Sequence, residues 1–407
     1  MKQTFDFDEI GRLPEVGDNV AIATQALEPG TRICHDGECF ELDNHVMEGH
    51  RFAIAPIPKG DYLLSWQLPF GRALHPIEAG AYVCNREILK ALSVRRLQVS
   101  LPTEPNFEDW HSEYAVDPAC FQPGHQVSQA TEVGTFQGFA RRDNRGVGTR
   151  NYIVVLGTSS RTSGFAQLLA ERMQHAVESC KQIDGIVPIA HTEGGAEATP
   201  NNLQLVLRTM AGLMVHPNVG AVLAVDSGFE AINNRLLQDF METENYPLTQ
   251  VLHWFMSLDR TFDEALAAGE ACLRSWIEPV DAMQRSQQSL SNLALALQCG
   301  GSDAFSGISG NPLAAWIARD IIRYGGRANL AETDELIGAE PYALQNVRDL
   351  ETAERFLAMI SRFKTWSAWH GNSADSNPSG GNKLRGIYNI VLKSIGAARK
   401  RHPSVRL

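Results

Sequence analysis

Apolar and polar positions change rhythm twice along the chain. From about Val16 to Leu89 the apolar runs are short and punctuated by Pro29-Gly30, Lys59-Gly60 and Ala79-Gly80, which predicts a small β-rich domain over about 15–100. Within it, Arg32 to Leu42 reads as a hairpin turning at Asp36-Gly37, a pair that tolerates positive φ. The next stretch, about 101–135, holds prolines and acids with neither strand nor helix periodicity and reads as a long linker.

After Arg150 apolar strands alternate with helical patterns. Strands are expected at 152–156, 186–190, 219–225, 250–255, 293–297 and 328–330. Helices are expected after Phe165 and at about 201–214, 260–277, 312–324 and 345–363. Repeated strand–helix units with continuously apolar strands predict an α/β domain over 136–407, built on one mainly parallel sheet covered by helices. Right-handed crossovers would then bring Thr158, His191, Asp226 and Cys299 to a common sheet edge, at the carboxyl ends of the strands.

Composition narrows the function. The chain has 407 residues, 43% of them apolar and 20% charged, which excludes disorder and collagen-like structure. With 36 Lys and Arg against 47 Asp and Glu the net charge is −11, which argues against a nucleic-acid partner and leaves room for a local basic site taking a small acid. No apolar run approaches the length of a membrane helix, and acids interrupt the N-terminus where a signal peptide would be apolar, so a cytoplasmic protein is expected. Seven cysteines at 34, 39, 84, 120, 180, 272 and 299 form no CxxC pair and are expected to be reduced thiols.

The segments that follow the expected strands are small, glycine-rich or ionisable: 157–164, 191–195, 226–230, 298–307 and 332–335. Loops of this kind are polar in any α/β fold. Together, however, they offer His, Cys, Asp and Glu on one edge, a set suited to proton transfer or to a divalent metal. Gly146-Val-Gly148 precedes a strand and lacks a third glycine, so it is discounted as a dinucleotide fingerprint, and no GxxxxGK[ST], HExxH or GxSxG motif occurs.

At 297–308 the run Leu-Gln-Cys-Gly-Gly-Ser-Asp-Ala-Phe-Ser-Gly-Ile, with Asn311-Pro312, resembles the altronate/galactarate dehydratase family. So do Glu-Thr-Asp-Glu-Leu-Ile-Gly-Ala-Glu at 332–340, Asn-Pro-Ser-Gly-Gly-Asn-Lys at 377–383 and Lys-Ser-Ile-Gly at 393–396. Gly-His-Arg-Phe-Ala-Ile at 49–54 is similar to the family's small SAF-type domain, and the runs at 138–153 and 216–223 match as well. The resemblance spans about residues 15–407.

What the resemblance implies is a hydro-lyase that removes water from a sugar acid to give a 2-keto-3-deoxy acid, usually with Fe²⁺ or another divalent cation. Abstracting a proton α to a carboxylate creates an enolate-like dianion, which calls for a cationic clamp, a base, and an acid for the departing hydroxyl. Asp303, His191 and Glu332 are candidate acid/base groups, and Lys383 a candidate partner for the substrate carboxylate. Thr158, Ser302 and Asn382 are candidate substrate contacts; Cys299, Glu332, His50 and His191 are candidate metal ligands. Each also has a plainer reading: His50 as a satisfied histidine of a β barrel, Cys299 as a small buried hydrophobe, Lys383 as a loop lysine, and Glu332 with Glu335 as a helix cap.

Three departures qualify the resemblance. The loops at 157–163, 191–195 and 226–230 lack the cysteines the family commonly has, which makes a harder site for Mn²⁺ or Mg²⁺, or none, compete with iron. The usual His-rich end of the small domain reads Tyr-Val-Cys-Asn-Arg-Glu-Ile at 82–88. Family members also run on past the point matching Leu407, where Val405-Arg406-Leu407 reads as the entry to a strand, so a C-terminally incomplete domain is expected. A catalytically impaired sugar-acid-binding remnant and a lyase on another 2-hydroxy acid, such as a sulfonated one, are the alternatives. Homo-oligomerisation is compatible with all of them.

Overall fold

The structure, a computed structural model, describes residues 4–407 apart from Arg96, Asp143, Asn144 and Cys299. The fold is α/β, with a small β-rich N-terminal region and a parallel sheet flanked by helices. Residues 1–131 and 294–407 form one compact unit and residues 132–293 a second. The single body expected over 136–407 is therefore divided: the chain leaves the first unit, builds the second and returns.

The β-rich region is built on a repeated four-residue phrase, an apolar residue followed by two others and glycine, at Leu27–Gly30, Val46–Gly49, Ile57–Gly60 and Ile77–Gly80. Each glycine has a positive φ, between 76° and 89°, which places it at the third position of a tight turn. The apolar residues bridge in pairs, Leu27 with Val46 and Ile57 with Ile77, and all four are buried. Each half also carries a hairpin. Strands Arg32–His35 and Glu38–Glu41 turn at Asp36-Gly37 as the sequence predicts, whereas strands Tyr62–Ser65 and Leu68–Ala73 turn at Trp66-Gln67.

Trp66 (φ 54°) and Gln67 (φ 58°) are left-handed without being glycine or asparagine. The buried Asp18 carboxylate holds them there, its two oxygens accepting from the Trp66 N–H at 2.8 Å and the Gln67 N–H at 2.7 Å. The linker expected over 101–135 is in part structural. Strand Phe107–Asp109 pairs with Leu68–Ala73, and Phe107 is 1% exposed. Cys34 and Cys39 face each other across the first hairpin, 4.1 Å apart at Cα, and are joined as a disulfide, so the expectation of uniformly free thiols is corrected.

The C-terminal residues complete this β-rich region's core. Phe52, Tyr82, Phe107 and Ile88 share one buried cluster with Leu336, Val347, Phe356, Tyr388, Val391 and Ile395. Strands Ala294–Leu297 and Arg327–Leu330 pair in parallel as a two-stranded sheet of their own, not as a continuation of the sheet after Arg150. Helices at Gly310–Arg323 and Leu350–Trp369 lie close to the expected positions. Val405–Leu407 is not a strand: the Leu407 N–H donates to Asn346 O at 3.0 Å.

The second unit is the expected doubly covered sheet. Its strands are Tyr152–Gly157, Gly185–Ile189, Val219–Asp226 and Leu252–Ser257, all parallel, with the second strand at one edge and the first and third in the middle. Every residue of Val219–Asp226 is buried, as a strand covered on both faces requires. Ile153, Val155, Leu223 and Val225 pack on helices Ser163–Met173 and Phe262–Asp281. Val154, Leu156, Val222 and Ala224 face Leu203–Met214 and Asn234–Thr243. Among the described residues no helix is long and apolar enough to cross a membrane.

Candidate active site

In the second unit the sheet order reverses between the first and third strands, and a crevice outside their carboxyl ends is the usual ligand position of such a sheet. Thr158, His191 and Asp226 all lie at this edge, as the topology argument anticipates. Cys299, the fourth residue expected there, lies outside the described residues, and the strand before it belongs to the other unit.

The edge is organised around Glu230, which is almost wholly buried. Its Oε1 accepts from Ser159 Oγ and the Ser227 N–H, both at 2.9 Å, and its Oε2 from the Phe229 N–H at 3.0 Å and from Ser227 Oγ. Burial alone would raise the carboxyl's pKa, but these donors outweigh it and hold it below the usual carboxylate range. Asp226 Oδ2 accepts from the Asn234 N–H at 2.7 Å, leaving its buried Oδ1 unpartnered. His191 Nδ1 accepts from the Glu193 N–H at 3.2 Å, so Nε2 carries the proton and has no acceptor. Thr158 is fully buried, and its hydroxyl donates to Val225 O at 3.2 Å, a structural use of a residue anticipated to touch substrate.

The first unit gathers the remaining candidates. Asn382 Nδ2 donates to Ser302 O at 2.8 Å, and the Ala304 N–H donates to Arg385 O at 3.0 Å, which fastens the 377–385 segment to the 302–304 segment. Asp303 Oδ1 accepts from both the N–H (2.7 Å) and the hydroxyl (2.9 Å) of Ser306. Lys393 Nζ lies 2.8 Å from Glu335 Oε2, which also accepts from Asn377 Nδ2 at 3.2 Å. The segments 302–308, 332–340, 377–383 and 393–396 are thus each bonded to at least one other of the set.

His50 sits beneath them, fully buried. Its Nε2 donates to Leu384 O at 3.0 Å, and its Nδ1 accepts from the Tyr82 hydroxyl at 2.7 Å. Burial lowers its pKa to about 4, so it is neutral at pH 7, and both ring nitrogens are spent. Arg51 follows it at 1% exposure, flanked by the Phe70 and Tyr388 rings, its Nη1 donating to Gly386 O at 2.5 Å and its Nε unpartnered. Burial lowers its pKa to about 10, which still leaves it charged at pH 7.

Gly386 is obligatory beside it. Its φ is +83°, and a Cβ there would lie 1.9 Å from Gly49 O.

Arg51 and Lys393 line a small cavity of about 10 Å³ together with Trp66, Ser302 and Asp303, room for one water. It adjoins a cleft of about 540 Å³ that shares Trp66 and Gly307 and adds Arg12 and Arg399. The sequence alone does not distinguish Arg51 and Lys393 as site residues, although both lie inside family-like motifs, at 49–54 and 393–396. Lys383, which was singled out, is on neither wall; its Nζ pairs with Glu87 Oε2 at 3.3 Å. Glu332 opens the turn at 333–335 in the left-handed region, φ 62°.

Of the anticipated metal ligands, Cys299 lies outside the described residues and His50 is the one whose ring nitrogens are both engaged. No group of three or more His, Cys, Asp or Glu that could hold an ion is present among the described residues.

Comparison with known proteins agrees with this segmentation. Residues 14–91 match the altronate/galactarate dehydratase SAF domain, 138–281 the second domain of D-galactarate dehydratase/altronate hydrolase, and 290–406 the C-terminal D-galactarate/altronate dehydratase domain. The chain is 31% identical to altronate dehydratase of Escherichia coli over 389 residues, 95% of this chain and 73% of that protein. It is 28% identical to the Bacillus subtilis altronate dehydratase, covering 94% and 72%, and 24% identical to the E. coli galactarate dehydratase (L-threo-forming), covering 94% and 70%. With all three domain models matched in order and a relative of this identity covered over most of its length, the chain belongs to the altronate/galactarate dehydratase family of sugar-acid dehydratases.

Proposed function

We propose that the chain removes water from an aldonate or aldarate of the altronate or galactarate type, giving a 2-keto-3-deoxy acid. The observation that supports this reading is the wall shared by Arg51, Lys393, Asp303 and Ser302. In the proposal the substrate carboxylate approaches the wall that Arg51 and Lys393 share, and its hydroxylated chain lies in the adjoining cleft beside Trp66 and Gly307. Arg51 and Lys393 stabilise the negative charge that grows on the carboxylate as the α proton leaves. Asp303 moves that proton or protonates the departing hydroxyl, which leaves as water; the resulting enol tautomerises to the keto acid. Asn382 positions the loop through Ser302 O.

The test is a panel of aldonates and aldarates, with a sulfonated 2-hydroxy acid included, assayed for 2-keto acid with Fe²⁺, Mn²⁺, Mg²⁺ and with chelator. Turnover of an altronate- or galactarate-type acid supports the reading. Binding without turnover on any substrate or cation would overturn it in favour of an inactive binding protein. Residence in the cytoplasm and self-association belong to the same proposal, to be checked by cell fractionation and size-exclusion chromatography.

A further inference from the structure

Trp66 stands where a hairpin ordinarily carries glycine, asparagine or aspartate, at the tip between strands Tyr62–Ser65 and Leu68–Ala73, with φ at 54°. It is nonetheless buried, at 7% exposed. A bulky residue kept in the left-handed region needs surroundings that over-determine it, and such positions gather at ligand clamps and active sites. The Asp18 carboxylate fixes the backbone of the turn. The indole is fixed by what it meets.

The six-membered edge of the ring lies on Gly307. A Cβ built on that glycine would stand 2.8 Å from both Cη2 and Cζ2 of Trp66 and 3.1 Å from the Gly396 Cα, so the position has no room for a methyl group. The 302–308 and 393–396 segments cross at these two glycines, and Asn311 Nδ2 ties the crossing by donating to Gly396 O at 2.7 Å. From Gly307 the contact reaches the chemistry in one step. Ser306, its neighbour in the chain, donates both its N–H and its hydroxyl to Asp303 Oδ1. From Gly396 it reaches Lys393, about one turn earlier on the helix Ile390–Ala398. Trp66 lines the small cavity together with Asp303 and Lys393.

We propose that Trp66 is a positioning residue of the dehydration site, its indole the spacer that holds Asp303 and Lys393 at the separation the reaction needs. The proposal rests on the dehydratase reading of the wall those two residues share. A rigid aromatic plane suits the task, because it fills the gap with few torsions to order, where a flexible side chain would let the two segments drift. Displacing a reacting group by about 1 Å can cost on the order of 100-fold in rate while the substrate still binds. A residue that only filled the core would be felt in stability instead, through the volume removed.

The experiment is steady-state kinetics of Trp66→Phe, Gly307→Ala and the double variant, in the full chain, on the aldonate or aldarate that the wild type turns over best. Trp66→Phe removes Cη2 and Cζ2, and Gly307→Ala intrudes on the place they occupy. Each alone should lower kcat about tenfold or more, with KM changed by less than about twofold. In the double variant the added methyl takes the volume that the shorter ring vacates, and most of the lost kcat should return. Wild-type kcat in Trp66→Phe would overturn the proposal. So would additive losses in the double variant, which would leave the indole as ordinary packing. Should Trp66→Phe fail to fold, Gly307→Ala decides: a fall in kcat at constant KM supports the spacer, and an unchanged kcat overturns it. A wild type that dehydrates no acid of the panel would overturn the dehydratase reading and this proposal with it, whereas an active wild type beside an equally active Trp66→Phe overturns this proposal alone.

Discussion

The His50 imidazole and the Leu384 carbonyl share a 3.0 Å hydrogen bond across 334 residues of sequence. Because the carbonyl can only accept, the bond fixes the proton on Nε2 and turns Nδ1 toward the Tyr82 hydroxyl. A residue that invites a metal-ligand reading is thereby a neutral strut between the β-rich region and the C-terminal segment that carries Asn382 and Arg385.

That strut predicts a pH response. With a folded-state pKa of about 4 against about 6.5 unfolded, the unfolded chain takes up a proton that the folded chain refuses as pH falls between those values. Stability is therefore fully present above pH 7 and falls by roughly 2–3 kcal/mol toward pH 4.5 from this group alone. Urea unfolding at pH 7.5 and 4.5 should show this difference shrinking by about that amount in His50→Gln. An unchanged difference would assign the pH dependence to other groups.

Asp303→Asn keeps an oxygen for the Ser306 donors but removes the charge and basicity. Turnover should fall by about 100-fold or more, with little change in melting temperature. Wild-type turnover would leave Asp303 as a turn residue.

Asp18 is expected to matter to stability out of proportion to its distance from any reaction. Its removal in Asp18→Ala frees the buried Trp66 N–H and the more exposed Gln67 N–H in a left-handed turn, a loss of roughly 2 kcal/mol by denaturant unfolding. Adding Gln67→Gly should return about 1 kcal/mol, because glycine adopts that φ without steric cost. If the second change brings nothing back, the turn is not where the loss arises.

Glu230→Gln tests the other unit. Both carboxylate oxygens accept, so an amide must turn its NH₂ against the Phe229 or Ser227 donors. Stability should drop by roughly 2 kcal/mol, with faster amide exchange at 227–230 than in wild type. Unaltered exchange would show that those donors do not depend on the charge.

What the sequence disclosed was what is local. The alternation from Tyr152 to Ser257, the Asp36-Gly37 hairpin and the helices after Ser309 and Asp349 carry their own periodicity or turn chemistry. Partnership was not local. Nothing in Ala294–Leu297 says that it pairs with Arg327–Leu330 instead of joining the preceding sheet, and nothing around Phe107 marks three residues as a strand until Leu68–Ala73 is beside them. The Trp66-Gln67 turn escaped notice because its support, Asp18, lies 48 residues upstream. Arg51 and Lys393 stood in view inside recognised motifs, yet only the shared cavity wall gives them a role distinct from Lys383.

The interruption of the first unit by the second has a consequence for synthesis. By Leu293 the parallel sheet possesses all four strands and its covering helices, and it can close as the chain emerges. The β-rich region, made earlier, cannot: Phe52, Tyr82 and Phe107 must wait for Tyr388 and Val391 to finish their core. At ordinary elongation rates that delay is on the order of tens of seconds, during which the sheet made later can fold while the β-rich region made earlier waits.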